Sequence, residues 1–451
     1  MSRHLLVKLY ANAAMYATAI GQRRVPYAPL AELHARRDAR VRRIVKYAAE
    51  TVPYYRELFQ RERIRPADIR SAEDLARLPL LDGKTVRRDP ERFRSTSRWG
   101  RLAVRLTTGG TTGNALCVYH DPRSLLANLA YGARNRAVWE RHLGRRFGYR
   151  QLYMGFPGDW GLHRVLRAHD EWAIAPMRPR WHFVSVLEPV EEVARSINRL
   201  RPEILIGYGG FIEHFFRLVS ARSIALALPR LVVYGGEPMT DAGKQFIEEE
   251  FGIPVYSHYS ATEVFRLGFS CEERRGLHIH EDLCAVRIVG ARGECLPPGE
   301  SGEVVISNLV NHGTVLLNYR LGDVASLSPD RCACGRTLPL LSELEGRVQD
   351  IVFLPDGRFL HPRVIWRVVR AQPEVLRYQV VQHEPARFEL RLVTRDEATY
   401  DRIAGEVARE LRGILGSGVH VETAYHTELP AGSRGKFRMI VAYRLPTADV
   451  S

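Results

Sequence analysis

The sequence predicts an α/β fold: a large N-terminal domain of helix-covered sheets plus a β-rich subdomain, followed by a small mobile α+β C-terminal domain. Three observations predict it. Short apolar strands alternate with helical segments and end in glycines, a later stretch is all-β, and the last part of the chain mixes strands with helices. A chain of 451 residues that is 45% hydrophobic can also bury more than one core.

The N-terminal region is predicted to be helical, and the region after it is predicted to alternate between strands and helices. The segment LAELHARRDARVRRIVKYAAETVPYYRELFQRERI has apolar residues at helical spacing interrupted at Pro53, which predicts helices flanking a turn. Downstream, EILIGYGG, RLVVYGGEP and IPVYSHYS are typical of strands in a parallel sheet covered by helices. Because such sheets bind ligands at the carboxyl ends of their strands, the glycines there indicate a site.

The chain becomes all-β from about Ile279 to Ala325, where AVRIVG, GEVVISNLV and VLLNYRLGDVASL predict strands. After EGRVQD, the order hairpin, helix, strand, strand, helix, strand predicts a separate α+β domain of about a hundred residues. We therefore expect a domain boundary at EGRVQD. The aromatic stretches YMGFPGDWG and IGYGGFIEHFF fit either an aryl pocket or core.

Composition narrows the class of function. The net charge is +15, from 66 basic and 51 acidic residues, which suits a polyanionic partner. The basic residues are spread along the chain without helix-turn-helix or zinc-finger spacing, so nucleic acid is disfavoured. We find no membrane-spanning apolar run and no convincing signal peptide, and six cysteines do not make a disulfide framework. We therefore expect a cytoplasmic protein.

The segment LTTGGTTGN, from Leu106 to Asn114, is too rich in glycine and threonine to build helix or core. It matches neither G-x-x-x-x-G-K-[ST] nor G-x-G-x-x-G. Free backbone N–H groups and hydroxyls in such a loop could bind phosphate oxygens, although the loop alone is also compatible with a flexible surface turn.

Five further stretches follow the loop in order: VYGGEPM, HYSATEV, NYRLGDV, EGRVQDIV and GSRGKFR. Together they resemble the adenylate-forming superfamily of acyl-CoA synthetases, luciferases and adenylation domains. The segments TVPYYRELF, GLHIHED and CACGR are similar to the phenylacetate-CoA ligase-like branch. The resemblance implies that residues 1–347 form the AMP-binding domain and that residues 348–451 form its C-terminal lid.

The resemblance also implies nucleotide contacts. The phosphate loop would contribute Thr107, Thr108, Gly109, Gly110, Thr111, Thr112 and Gly113, and the segment bordering the adenine would contribute Gly235, Gly236, Glu237 and Pro238. Tyr259 would lie against the adenine, Thr262 would bond the α-phosphate, and Glu263 would ligate Mg²⁺. A hydroxyl beside a carboxylate suits a phosphate-bound hard cation.

The remaining expected roles concern the ribose and the lid. Asp323 would accept both ribose hydroxyls, and Arg347 would reach the ribose or the α-phosphate. Lys436 would be the lysine that the lid inserts for the first half-reaction. Two positions depart from the family pattern: Asn114 stands where many relatives have lysine, and Gln349 stands where an acidic hinge residue is common. The neighbouring Asp350 is a candidate for that hinge role.

The cysteines suggest a metal. A Cys₃His set of the kind that holds structural zinc would be formed by Cys271, Cys332 and Cys334 with His278 or His280. The resemblance implies the same, since members of the branch carry such a cluster. We choose His278, which lies nearer Cys271 in the chain. The alternative is that these cysteines are reduced and idle. The remaining cysteines, Cys117, Cys284 and Cys295, are expected in the core.

The predicted function is ATP- and Mg²⁺-dependent activation of a carboxylic acid, aryl or arylacetic, to an acyl-adenylate, followed by transfer to coenzyme A. Two alternatives stay open: transfer to an amine or carrier-protein thiol, and a binding or assembly protein of the same fold without turnover. Asn114 and Gln349 are the features that favour the inactive alternative. The identity of the acid and the oligomeric state are left open.

Overall fold

The computed structural model describes residues 3–108, 116–158, 161–174, 180–342, 344, 346–347, 352–355, 359–360, 364–365, 368–369, 371–416, 418–429 and 437–443. Five helices occupy the N-terminal region: α1 (Arg3–Ala19), α2 (Leu30–Thr51), α3 (Pro53–Arg61), α4 (Gly83–Arg88) and α5 (Arg98–Arg101). As the sequence predicts, the helical segment is divided at Pro53. Val52 is extended, and proline occupies the first turn of α3, where its missing N–H costs no hydrogen bond.

An eight-stranded sheet forms the centre of the large region. Its parallel part contains β3 (Gln151–Gly155), β4 (Trp181–Ser185), β5 (Ile204–Gly207), β6 (Leu231–Tyr234) and β7 (Val255–Tyr259), and β8 (Gly268–Phe269), β9 (Leu277–Ile279) and β13 (Leu340–Leu341) extend it antiparallel. The strand order is β13-β9-β8-β7-β6-β5-β3-β4. The associated helices are α6 (Pro122–Tyr131), α7 (Ala133–Leu143), α8 (Gly161–Trp172), α9 (Val190–Leu200), α10 (Gly209–Ala221) and α11 (Asp241–Phe251).

Apolar cores cover both faces of this sheet. Phe215 and Phe216, from one of the two aromatic stretches, are fully buried in the core that packs α10 on the sheet, so these two rings are core residues. Cys117 and Cys284 are buried as expected, but the expectation for Cys295 was wrong. Cys295 is exposed because it follows the turn at residues 290–294 and makes only an isolated bridge with Val289.

The β-rich part is an antiparallel sheet in the order β10 (Cys284–Val289), β11 (Gly302–Asn308), β12 (Tyr319–Ala325) and β14 (Gly346–Arg347), and β1 (Val104–Thr107) pairs antiparallel with β2 (Cys117–His120). C-terminal to these lie β15 (Val352–Phe353), β16 (Phe359–Leu360), β17 (Arg377–Glu384), β18 (Arg387–Val393), α12 (Glu397–Leu415), β19 (His420–Tyr425) and β20 (Ile440–Val441). This unit has its own apolar core. The α/β fold class with a terminal α+β unit is confirmed. Across the described residues, no helix has the length and apolar character needed to cross a bilayer.

Candidate active site at the end of strand β7

The site is centred on the carboxyl end of β7, where the HYSATEV motif begins. Tyr259 is the last residue of this strand, and its hydroxyl donates to Oδ2 of Asp323 on β12 at 2.6 Å. Both side chains are buried. The hydrogen bond therefore joins the residue expected at the adenine to the residue expected at the ribose, across two different sheets.

Glu263 lies four residues beyond Tyr259 and is also buried. The hydroxyl of Tyr319, on β12, donates to its Oε1 at 3.5 Å, and Asn308 donates to its main-chain carbonyl at 2.9 Å. Burial, together with the nearby charge of Glu263, raises the pKa of Tyr319 well above its ordinary value, so this hydroxyl stays protonated and can donate. The carboxylate is thereby held on the side of the site that carries Asp323.

A buried histidine holds the turn between Tyr259 and Glu263. The Nε2 atom of His120 lies 2.7 Å from the main-chain carbonyl of Thr262, and its ring stacks on Phe265 at 3.9 Å. Burial lowers the pKa of His120 to about 4, so it is neutral at pH 7 and Nε2 can donate to the carbonyl. His120 was not predicted as a site residue, because a single histidine at the end of a strand gives no signal of its own.

The adenine-side loop follows β6, and close packing explains its glycines. A Cβ on Gly235 would stand 2.7 Å from the carbonyl oxygen of His258, and Gly236 has a φ of 75° beside the ring of Tyr208. Neither position accepts a side chain without rearrangement. Glu237 and Pro238 continue this loop.

A buried carboxylate anchors the far end of the same loop. Glu213 on α10 accepts from the main-chain N–H and the hydroxyl of Thr240, at 3.0 and 2.7 Å, and from Arg217 at 3.3 Å. Thr240 in turn caps α11 by accepting from the N–H of Gly243. Glu213 therefore positions the loop that follows β6. It was not predicted from the sequence, where it lies inside the aromatic stretch IGYGGFIEHFF.

The predicted phosphate loop is described only at its base. Thr107 ends β1 opposite Cys117, and Thr108 exchanges two hydrogen bonds with Leu116, one of them through its hydroxyl. The two strands thus hold the ends of the loop together. The other predicted members, Gly109, Gly110, Thr111, Thr112 and Gly113, lie outside the described residues, as do Asn114 and Lys436.

Arg347 is described by its main chain, which pairs in register with Asp323 across β12 and β14. The two residues predicted to contact the ribose are therefore direct neighbours in the sheet. Gln349 and Asp350 lie outside the described residues.

Cys271, His278, Cys332 and Cys334 form a second cluster, in which all four potential ligand atoms lie within 4.8 Å of one another. Nε2 of His278 is 3.2 Å from Sγ of Cys334, and the two sulfurs of Cys271 and Cys332 are 3.6 Å apart. The other ring nitrogen of His278 faces the carbonyl of Leu338 at 3.3 Å. His280 lies elsewhere, with Nδ1 3.3 Å from Nη1 of Arg134.

The electrostatics of this cluster suit a cation. Burial lowers the pKa of His278 to about 4, leaving a neutral imidazole. Burial raises the pKa of Cys271 to about 12 and also raises that of Cys332. At Cys334, hydrogen bonds from Arg336 outweigh burial and lower the pKa. Three neighbouring thiols cannot all ionise unless a positive ion compensates them.

The AMP-binding enzyme family matches residues 28–311, more than half of the chain, and the chain belongs to this family. Its similarity to two phenylacetate-coenzyme A ligases places it in the phenylacetate-CoA ligase-like branch, as predicted. A phenylacetate-coenzyme A ligase of Thermus thermophilus is 30% identical over 78% of this chain and 79% of the relative. A phenylacetate-coenzyme A ligase of Pseudomonas putida is 24% identical over 85% of this chain and 88% of the relative.

A solved structure has the same fold. It is a 2-hydroxyisobutyryl-CoA ligase in the postadenylation state in complex with R3-HIB-AMP, with a TM-score of 0.79 and 18% identity. The match covers 93% of this chain and 92% of that chain, so the likeness extends beyond the AMP-binding region to the C-terminal unit.

Proposed function

We propose that the protein is an AMP-forming acid–thiol ligase that activates a carboxylic acid with ATP and transfers the acyl group to coenzyme A. Family membership supports this function. The observation that carries it is the contact of Tyr259 with Asp323 beside the buried Glu263, because it joins three motif residues at one strand end. Aryl or arylacetic acids are the proposed substrates.

Each predicted site residue has a proposed role toward ATP or Mg²⁺. Tyr259, with the loop at residues 235–238, borders the adenine, and Asp323 and Arg347 hold the ribose. Thr262 bonds the α-phosphate, and Glu263 supplies the carboxylate for Mg²⁺, which neutralises phosphate charge when bound. Lys436 is proposed to act from the C-terminal domain, residues 348–451, which serves as the lid of the AMP-binding domain, residues 1–347.

The test is a panel of aryl and alkyl acids assayed for pyrophosphate release and AMP formation, with and without coenzyme A. We expect turnover with ATP to rise when coenzyme A is present, because the thiol discharges the acyl-adenylate. Turnover that responds instead to amines or to a carrier protein would assign the acceptor differently. Absence of pyrophosphate release with every acid would favour a binding protein of the same fold.

We further propose that the Cys₃His cluster holds a structural zinc ion. Three sulfurs and one imidazole nitrogen match the ligand set of closed, four-coordinate zinc sites. The carbonyl of Leu338 fits the outer partner that fixes the tautomer of a ligating histidine. The cluster ties the turn after β8 to the segment before β13, so zinc would stabilise this part of the large domain.

Replacing one ligand should remove the metal. We expect about one zinc per wild-type chain, and Cys334→Ser should lose most of it and lower the melting temperature. KM for ATP should change little, since the predicted nucleotide residues lie outside the cluster. The matched control is Cys295→Ser, which changes an exposed cysteine outside the cluster. Elemental analysis and thermal unfolding check both variants, and a metal-free, fully active wild type would contradict the proposal.

A further inference from the structure

Two arginines meet at the junction of α6 and α7. Nη1 of Arg136 and Nη2 of Arg266 come within 2.8 and 2.9 Å of the point where a Cβ on Gly132 would stand. Arg266 donates to the carbonyl of Asn128 at 3.0 Å, and Arg136 donates to the carbonyl of Leu129 at 3.1 Å. Because a guanidinium has five N–H donors, most donors of both groups are not used by the residues that the structure describes and could serve a ligand.

No carboxylate among the residues that the structure describes forms an ion pair with Arg136 or Arg266. The groups that favour their charged forms are the hydroxyls of Tyr149 and Tyr153. Burial, reinforced by the charge of Arg136, lowers the pKa of Arg266 to about 10, so Arg266 stays charged at pH 7, and burial also lowers the pKa of Arg136. Both guanidinium groups are half-buried. Among the described residues no carboxylate compensates them, whereas charges withdrawn from water in proteins are normally paired.

Arg136 and Arg266 are half-buried and not sealed in the interior, and so are Tyr153 and His258. Each of the four side chains keeps part of its surface accessible. A small molecule can therefore reach the guanidinium pair from outside the protein.

Tyr153 and His258 lie on one face of the central sheet. Tyr153 on β3 is in the same register row as Tyr256 on β7, through the pairings of β5 and β6. His258 is two residues beyond Tyr256 and so faces the same side of the sheet. Its Nε2 lies 2.8 Å from the position of a Cβ on Gly235. This face of the sheet therefore connects Tyr153 with the loop proposed to border the adenine.

A strained turn joins the arginine pair to the nucleotide motif. Phe265 has a φ of 60°, a conformation that aromatic residues rarely adopt. Phe265 lies in a tight turn between Glu263 and Arg266. The N–H of Phe265 closes this turn by donating a hydrogen bond to the carbonyl of Ala261. Strain of this kind persists where the surrounding structure enforces it, and it is concentrated at binding sites.

We propose that Arg136 and Arg266 bind a second anionic group of the acid substrate, a carboxylate or a phenolate, while its reacting carboxylate lies toward Thr262 and Glu263. The inference rests on the proposed function and adds the class of acid. A carboxylate or phenolate oxygen would accept hydrogen bonds from both guanidinium groups and compensate their charges in a low-dielectric setting.

The test compares matched acids: phenylacetate, 4-hydroxyphenylacetate and 4-carboxyphenylacetate, with hexanoate and adipate as an aliphatic pair. The readout is kcat/KM for coenzyme A-dependent AMP formation. We expect the wild type to prefer an acid that carries the second group by roughly tenfold or more over its partner without it. Arg136→Met and Arg266→Met should bring this ratio close to one. The control Arg199→Met, at an exposed position of α9, should keep the ratio.

Two further measurements separate binding from folding. The preferred acids should raise the unfolding midpoint of the wild type but not that of Arg266→Met, without any turnover. Free Arg266→Met should unfold at the same or a higher temperature than the wild type, because a half-buried positive charge beside Arg136 is gone.

A wild type that turns over phenylacetate and hexanoate at least as well as their charged partners would overturn this inference while leaving the proposed function intact. An Arg266→Met variant that is strongly destabilised and keeps the wild-type ratio would also overturn it, by assigning the arginine a structural role. If no acid is turned over, the proposed function fails, and the midpoint shifts alone decide whether the pair binds an anion.

Discussion

Glu263→Gln should lower the rate of acyl-adenylate formation by roughly 10²–10³-fold, because it removes a buried carboxylate proposed to hold Mg²⁺ against the phosphates of ATP. Glutamine has nearly the same shape and can still accept from Tyr319, and the bond from Asn308 reaches the main chain. The fold should therefore be retained. The measurement is acid-dependent pyrophosphate release at several Mg²⁺ concentrations, and the apparent Mg²⁺ requirement should increase.

The second half-reaction provides the internal comparison. When acyl-adenylate and coenzyme A are supplied, Glu263→Gln should form thioester at close to the wild-type rate, because no triphosphate takes part. Glu300→Gln, at an exposed position in the turn before β11, is the matched control and should change neither step. Equal losses in both half-reactions would show that Glu263 acts through the structure of the site instead.

Asp282→Ala should destabilise the folded protein by about 3–5 kcal/mol, the cost of leaving a buried charge without its partner. Arg134 is 1% exposed and donates to both oxygens of Asp282, at 2.7 and 2.9 Å, and Arg40 adds a third contact at 2.8 Å. The variant would leave the Arg134 guanidinium in the interior without its carboxylate. Denaturant and thermal unfolding measure the loss.

Two further variants test whether the loss of stability comes from the unpaired charge of Arg134. Asp330→Ala removes an exposed aspartate and should be nearly neutral. The double variant Asp282→Ala/Arg134→Met should recover much of the loss, because it removes the unpaired charge as well. A double variant as unstable as Asp282→Ala would show that the packing of Asp282, and not its pairing, carries the effect.

The pH dependence follows from the same contacts. Burial alone would raise the pKa of Asp282, but the charge and hydrogen bonds of Arg134 outweigh it and lower the pKa well below its ordinary value. A lowered pKa contributes stability above the unfolded-state pKa of about 4, and this contribution is lost as the pH falls. The difference between wild type and Asp282→Ala should therefore be complete at pH 7 and shrink in acid.

The fold class, the family and the order of the nucleotide motifs were all predictable from the residues alone. These are local properties: strand and helix periodicity, glycines after strands, and short segments such as YSATE and YRLGD whose residue types are set by the chemistry that they perform. The sequence also contained the three cysteines and the histidine of the metal cluster. The choice of His278 over His280 rested only on its being nearer to Cys271 in the chain, and the structure places His278 in the cluster.

Most contacts between residues far apart in the chain became known from the tertiary structure and were not predictable from the sequence. The tertiary structure placed Asp323 against Tyr259 and brought His278, and not His280, to the cysteines. It also brought Arg136 and Arg266 together, with no carboxylate of the described part of the chain paired to either, although the two arginines are far apart in the sequence. Such contacts depend on strand order and helix packing across long sequence separations, and a single arginine in a basic chain gives no local sign of them. The physical cost of burying such a pair becomes visible only once the surrounding residues are in place.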